Sequence, residues 1–155
     1  DGKVPEKRVL PHQAAFNLFS HNSDIQANGY CEEEMKMVNE SRKIMHIDDL
    51  MVCPTTVRVP LFRTHAESIT VEQQRRVSPD EAGEALRAAP GIQLVDDREN
   101  NYFPMPIDAE GRYDVLVGRL REDLSSETGL CLFACGDQLL KGAALNAVQI
   151  AELLT

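Results

Sequence analysis

No two cysteines in this chain form a C-x-x-C pair, so a zinc knuckle is not expected and the metal expectation is none. Cations are not in excess. Lys and Arg number 16 against 25 Asp and Glu, a net charge of −9. Nucleic acids and anionic membrane surfaces need the opposite balance, so neither is an expected partner. No apolar run approaches the ~20 residues of a membrane-spanning helix. The chain has no internal repeat, no low-complexity tract and no obvious inner linker. Nor does it open on a secretory signal: Asp1-Gly2-Lys3-Val4-Pro5-Glu6-Lys7 is polar, lacks an initiator Met and reads as a loop cut in its middle. What is left is ordinary globular composition, 155 residues with 43% apolar and 26% charged. That is one domain's worth of chain, able to bury about 70% of its unfolded surface.

The four cysteines, Cys31, Cys53, Cys131 and Cys135, read as small hydrophobes in a reducing compartment. Cys131 and Cys135 belong to one face of a strand, where side chains repeat every two residues. Asn39-Glu40-Ser41 matches a glycosylation sequon, but it lies inside a helical pattern and reads as chance.

Along the chain, residues 1–14 carry Pro5 and Pro11 and form an entry loop. Phe16, Leu18 and Phe19 can start a strand. From Cys31 to Met45 the pattern is helical: Glu32, Glu33 and Glu34 crowd the first turn, Arg42 and Lys43 the last, and Met35, Val38 and Met45 share a face. Met51 to Pro60 is rich in β-branched residues and predicts a strand. Ala66 to Gln73 alternates, which predicts a strand with one wet face. Ser78-Pro79-Asp80-Glu81 predicts a helix start, with Ser78 as N-cap, Pro79 at N1 and Glu81 completing a capping box. Pro90-Gly91 stops that helix. Ile92 to Val95, Tyr113 to Leu120 and Leu130 to Ala134 predict three strands, the last apolar throughout and so central. Asp96 to Gly111 reads as a long polar loop. Gly142 to Leu154 predicts a helix apolar nearly all round, which must be buried or packed on another part of a larger protein. About five strands and three helices without βαβ regularity predict an α+β fold, a mixed, largely antiparallel sheet with helices on one face.

Three groups of residues could carry chemistry. The run Thr55 to Ser68, T-T-V-R-V-P-L-F-R-T-H-A-E-S, places Arg58 and His65 around a proline corner. A fixed cation beside a titratable imidazole suits holding a carboxylate and moving a proton. The plainer alternative is an arginine paired with a surface acid such as Glu67, and a half-exposed histidine. Glu33 and Lys36, three apart on a helix, share a face, and their plainer reading is a solvated ion pair of about 0.2–0.5 kcal/mol. Asn146 lies in K-G-A-A-L-N-A-V-Q-I-A-E, whose other reading is a buried structural helix.

The R-V-P-x-x-x-x-H element at Arg58 to His65, the E-x-x-K element at Glu33 to Lys36 and the C-G-D-Q-L-L-K-G-A-A-L-N-A-V-Q-I-A-E-L-L run resemble aspartate-semialdehyde dehydrogenase. The resemblance covers roughly residues 12–155 and concerns that enzyme's C-terminal half, a dimerisation domain like that of glyceraldehyde-3-phosphate dehydrogenase-type enzymes. It implies NADPH-dependent reduction of aspartyl β-phosphate to the semialdehyde and phosphate, on the route to lysine, threonine and methionine. By resemblance Arg58 holds the substrate carboxylate, His65 is the general acid/base, Glu33 meets the substrate amino group, Lys36 meets the acyl phosphate, and Asn146 lies near the nicotinamide of NADP. Residues 15–140 are then the substrate-binding and dimerisation part, and 141–155 a helix that packs on a nucleotide-binding domain. The expected partners are a second copy, the missing N-terminal half or other polypeptides, and a small-molecule substrate. The wording L-F-R-T-H-A-E-S and C-G-D-Q looks like plant or algal plastid forms, with bacterial forms close, which implies the chloroplast stroma or the cytoplasm.

Parts of that family's pattern are absent. No N-C-[ST] element supplies the thioester-forming cysteine, no Y-Q-A-x-S-G-type run supplies the assisting glutamine, and no G-x-x-G-x-x-G loop cradles dinucleotide phosphates. The resemblance therefore implies that most of the NADP site belongs to the missing half, and that this chain alone is inactive. The alternative is a non-catalytic interaction or scaffold module that keeps the dimerisation fold.

Overall fold

A computed structural model describes residues 9–10, 12–21 and 23–154. Most of the entry loop expected over residues 1–14 lies outside the described residues. The chain divides into two compact units, residues 1–60 and 61–155.

The first unit is built on α1 (Glu32–Met45). Three glutamates face the positive end of the helix dipole, and Arg42 and Lys43 face the negative end. The Glu34 carboxylate turns back to accept the Cys31 N–H at 2.9 Å, satisfying a donor that the first turn leaves open. His46 adopts a left-handed conformation (φ 55°) and closes the other end, with the Ile47 N–H donating to the Arg42 carbonyl at 3.1 Å. Val38 is buried and Met35 half-buried, as the expected face requires, but Met45 is exposed.

The strand expected over Met51–Pro60 does not form. The segment is irregular apart from one bridge, in which Phe19 and Arg58 exchange both backbone hydrogen bonds (3.2 and 2.8 Å). Two local facts account for this. Pro54 and Pro60 have no N–H to give a ladder, and the Thr56 N–H is taken by the Glu34 carboxylate at 2.9 Å.

The second unit holds a four-stranded sheet in the order β1-β4-β3-β2 (His65–Glu72, Gly129–Gly136, Val115–Glu122, Ile92–Leu94). β4 pairs antiparallel with both β1 and β3, which explains why the expected central strand is apolar throughout. β2 joins β3 in parallel, so the sheet is mixed and mostly antiparallel, as the α+β reading expects. Among the described residues one fewer strand is present than expected, the missing one being Met51–Pro60. α2 (Pro79–Ala88) starts where expected, with the Ser78 hydroxyl accepting from Glu81 N–H (3.2 Å) and Glu81 accepting from Ser78 N–H (2.9 Å). The polar loop expected over Asp96–Gly111 contains a one-turn helix, α3 (Pro106–Ala109), which Pro106 starts from N1. Its Ala109 is fully buried against Leu116 and Cys135, with Val95 and Phe133 packed alongside.

The last helix begins two residues earlier than expected. A π-helical turn, Leu140–Ala144, leads into α4 (Leu145–Glu152). No residue of either piece is buried, and Val148, Ile150, Leu153 and Leu154 are 54–87% exposed. Among the described residues no helix is long and apolar enough to cross a membrane.

Among the glycines of the sheet, Gly118 leaves the least room for a side chain. A Cβ there would overlap the Val95 carbonyl oxygen and come within 2.8 Å of Pro104 Cδ. The Val95 N–H is meanwhile committed to the Val117 carbonyl at 2.8 Å, so the backbone cannot withdraw. Gly118→Ala is expected to destabilise this unit at or above the upper end of overpacking costs, about 3 kcal/mol. Urea denaturation of the variant checks this, and an unchanged midpoint contradicts it.

Candidate functional site

Arg58, Glu33 and Lys36 belong to the unit of residues 1–60. Arg58 is fixed by its backbone pair with Phe19, and its side chain is exposed, with no ion pair among the described residues. A guanidinium held at its root and open at its tip can take a carboxylate in a two-point grip. Glu33 and Lys36 do meet, at 3.7 Å, and Glu32 lies nearer to the same ammonium at 3.3 Å. All three are about half to two-thirds exposed. Glu32, and then Glu33, raise the Lys36 pKa above its ordinary value.

The third glutamate of the run differs in kind. Glu34 is buried, and one oxygen accepts from Cys31 N–H while the other accepts from Thr56 N–H, each at 2.9 Å. These two N–H groups hold its carboxyl below the ordinary value in spite of burial. It joins the start of α1 to the segment that carries Arg58. Sequence reasoning missed it. The available signal was its place three residues after Cys31, a residue type that seldom caps a helix.

His65 and Asn146 belong to the unit of residues 61–155. His65 is the first residue of β1, exposed and paired with Gly136 at the end of β4. The residue before it, Thr64, is buried at 6% exposure with φ 76°, a conformation costly for a β-branched side chain. Its N–H donates to Gln138 Oε1 at 2.6 Å. One residue further back, the Arg63 guanidinium reaches Asp137 Oδ2 at 2.7 Å.

Asp137 has no solvent exposure in its side chain. Oδ2 also accepts from Gly111 N–H at 2.7 Å, and Oδ1 accepts from Leu139 and Leu140 N–H at 3.0 and 3.3 Å. Burial pushes its pKa up, but the Arg63 charge and these N–H groups outweigh burial and hold the carboxyl below its ordinary value. The Asp137 carbonyl accepts from Gly142 N–H at 3.2 Å, so the π-helical turn hangs from this residue too. Asn146 follows on α4 with its carboxamide exposed. Asp137 is the second residue that sequence reasoning left without a role.

Of the four thiols, Cys31 and Cys135 are buried, Cys131 is half-buried and Cys53 is exposed. Cys135 is buried in the apolar cluster, and burial pushes its pKa up to about 11, so at neutral pH it is a thiol. Cys31 is buried, and a hydrogen bond with the Thr56 hydroxyl lowers its pKa.

A family model described as semialdehyde dehydrogenase, dimerisation domain, matches residues 1–141. The chain belongs to the semialdehyde dehydrogenase family. Among similar proteins, an aspartate-semialdehyde dehydrogenase of Synechocystis sp. is 56% identical over 154 residues, 99% of this chain and 46% of the relative. That of Bacillus subtilis is 47% identical over 153 residues, 97% of this chain and 44% of the relative. Among solved structures, aspartate semialdehyde dehydrogenase II from Vibrio cholerae superposes with a TM-score of 0.93 at 42% identity, covering 99% of this chain and 45% of that one. The same enzyme complexed with ASA superposes with a TM-score of 0.91, covering 96% of this chain and 44% of that one. The chain thus spans a little under half the length of the relatives it matches.

The two buried carboxylates predict an acid-labile fold. Both folded pKa values are depressed, so the stability they add is complete above the unfolded values of about 4.3 and 3.9 and is lost as pH falls through the lower folded ones. The urea midpoint of wild-type chain is expected to fall between about pH 5 and pH 3. Glu34→Gln should be less stable at neutral pH and lose less over that window. Parallel curves for the two proteins would show that Glu34 adds no such linkage.

Proposed function

We propose that this chain carries the substrate-binding and acid/base part of an NADP-dependent aspartate-semialdehyde dehydrogenase, which reduces aspartyl β-phosphate to the semialdehyde and phosphate. The observation that carries this reading is the ungapped R-V-P-x-x-x-x-H element in a chain 56% identical, over almost its whole length, to an enzyme of that name. In this reading Arg58 grips the substrate carboxylate, and His65 gives and takes the proton at the reacting carbonyl oxygen. Glu33 takes the substrate ammonium and Lys36 the phosphate. Both are exposed, and each must give up part of its present pairing to do so.

NADP supplies the hydride when bound. The exposed carboxamide of Asn146 on an uncovered helix fits one contact to the nicotinamide. No glycine-rich loop in the chain fits the phosphates, so the rest of that site is assigned to a nucleotide-binding half. Residues 15–140 then serve as the substrate-binding and dimerisation part, and the helix that follows packs on that half. The exposed Val148 and Ile150 of α4 and the Leu153 and Leu154 that follow it support this assignment, since exposed apolar patches of more than a few hundred Å² are rare on monomers. Four cysteines without a disulfide fit a reducing compartment, the plastid stroma or the cytoplasm. The missing thioester cysteine favours a second reading, a non-catalytic interaction module on the same fold.

Two measurements separate these readings. In an assembly that contains a nucleotide-binding half, Arg58→Lys is expected to raise KM strongly without altering folding, because a point ammonium cannot replace a two-point grip. His65→Asn is expected to lower kcat by roughly 100-fold or more with KM little changed. Wild-type kinetics in both variants would remove the assigned roles and leave the interaction module. The isolated chain should show no turnover, and activity that vanishes on Cys→Ser at any one of its cysteines would overturn that. Sedimentation at micromolar concentration should show a dimer or a complex with other polypeptides, whereas a well-behaved monomer with α4 in solvent counts against the partner assignment.

A further inference from the structure

Glu34 does more than cap α1. A cap needs one acceptor, and Oε2 supplies it by taking the Cys31 N–H at 2.9 Å. Oε1 takes the Thr56 N–H, 22 residues further along the chain, also at 2.9 Å. The Thr56 hydroxyl lies 3.5 Å from the buried Cys31 thiol, so backbone and side chain of Thr56 both rest on the start of the helix. We infer that Glu34 is a positioning residue for Arg58, one that sets the span between the Arg58 guanidinium and the Glu33 carboxylate. This rests on the proposed reading in which those two groups hold the substrate's carboxylate and its ammonium.

The link is short at both ends. Glu33 directly precedes Glu34, and Arg58 follows Thr56 by two residues, which keeps its backbone within about 7 Å of the Thr56 backbone. One hydrogen bond and a few covalent steps therefore separate the two ligand groups, all inside the unit of residues 1–60. Residues 54–60 cannot fix Arg58 by themselves. They form no strand beyond the Phe19–Arg58 bridge, and Pro54 and Pro60 have no N–H to give. Among the described residues their backbone is held by Phe19 at Arg58 and by Glu34 at Thr56. The Phe19 bridge sets Arg58 against the segment before α1. Glu34 refers it to α1 itself, the helix that carries Glu33 and Lys36. Glu34 is in turn fixed, being 6% exposed with both oxygens taken. Two exposed groups that grip one small ligand need such a common frame, and misplacement by about 1 Å can cost on the order of 100-fold.

The test is kinetic, in the assembly that contains a nucleotide-binding half. Glu34→Gln keeps one carbonyl oxygen for the Cys31 N–H, as capping boxes with glutamine do, and offers Thr56 an amide NH2 that cannot accept. It is expected to raise KM for the semialdehyde about 10-fold, with kcat within about threefold. KM for phosphate, which Lys36 meets from α1 alone, should stay within about twofold. Val38→Ala is the control for general loosening: it opens a cavity under the same helix, so the urea midpoint should fall with both KM values unchanged. Placed in an Arg58→Lys background, Glu34→Gln should raise the semialdehyde KM by less than about twofold further, because its effect acts through the guanidinium. If Glu34→Gln does not fold, Glu34→Asp takes its place with the same expectations, being one methylene too short to bridge both N–H groups. An unchanged semialdehyde KM, an equal rise in the phosphate KM, a matching rise in Val38→Ala, or an undiminished effect in the Arg58→Lys background overturns the assignment. If Arg58→Lys itself keeps the wild-type KM, the carboxylate grip fails instead, and Glu34 has nothing to position.

Discussion

A carboxylate removed from water must find donors for its lone pairs, and in this protein that demand organises the unit of residues 61–155 around Asp137. Its donors come from places far apart in sequence: the Arg63 guanidinium before β1, the Gly111 N–H after α3, and the Leu139 and Leu140 N–H groups that open the π-helical turn. Each of these segments is irregular, with no ladder of its own to fix it. The charge therefore does at the end of the sheet what paired strands do in its middle. Removing one partner of such a site leaves an uncompensated buried charge, so the arrangement persists as a whole or not at all.

Glu34 repeats the principle in the unit of residues 1–60. There the buried carboxylate ties the first turn of α1 to the segment around Thr56, two residues before Arg58. Both proposed functional elements therefore lie next to a buried carboxylate in sequence or space, and both residues of interest, Arg58 and His65, are exposed. Order is supplied from behind while the reactive tip stays open. That division is what an exposed catalytic group needs, since it cannot itself be packed without losing access to its ligand.

The parts of this fold legible in the sequence were those governed by neighbours in sequence. α2 could be placed to the residue because Ser78, Pro79 and Glu81 complete their cap among themselves. β4 could be recognised as interior because its apolar run has no polar face to offer. Met51–Pro60 failed because β-branched residues describe side-chain preference, whereas a strand also needs a partner, and a glutamate 22 residues earlier had taken the Thr56 N–H. α3, at four residues, is shorter than any helical period can signal. The candidate site divided the same way. Arg58, His65, Glu33 and Lys36 stand in short motifs and were visible. Glu34 and Asp137 were not, because a buried carboxylate and a solvated one are the same letter. Among the described residues these two alone of the acidic residues are buried.

Thr64 shows how the two pressures on a protein can point in opposite directions at a single codon. Glycine or asparagine would occupy its left-handed backbone at far less cost. Selection for thermal tolerance or soluble expression alone therefore has a downhill step available there. Laboratory evolution scored on yield would drift toward that step. Evolution scored on the proposed activity would hold threonine in place, so the identity of residue 64 across evolved lineages records which pressure was acting.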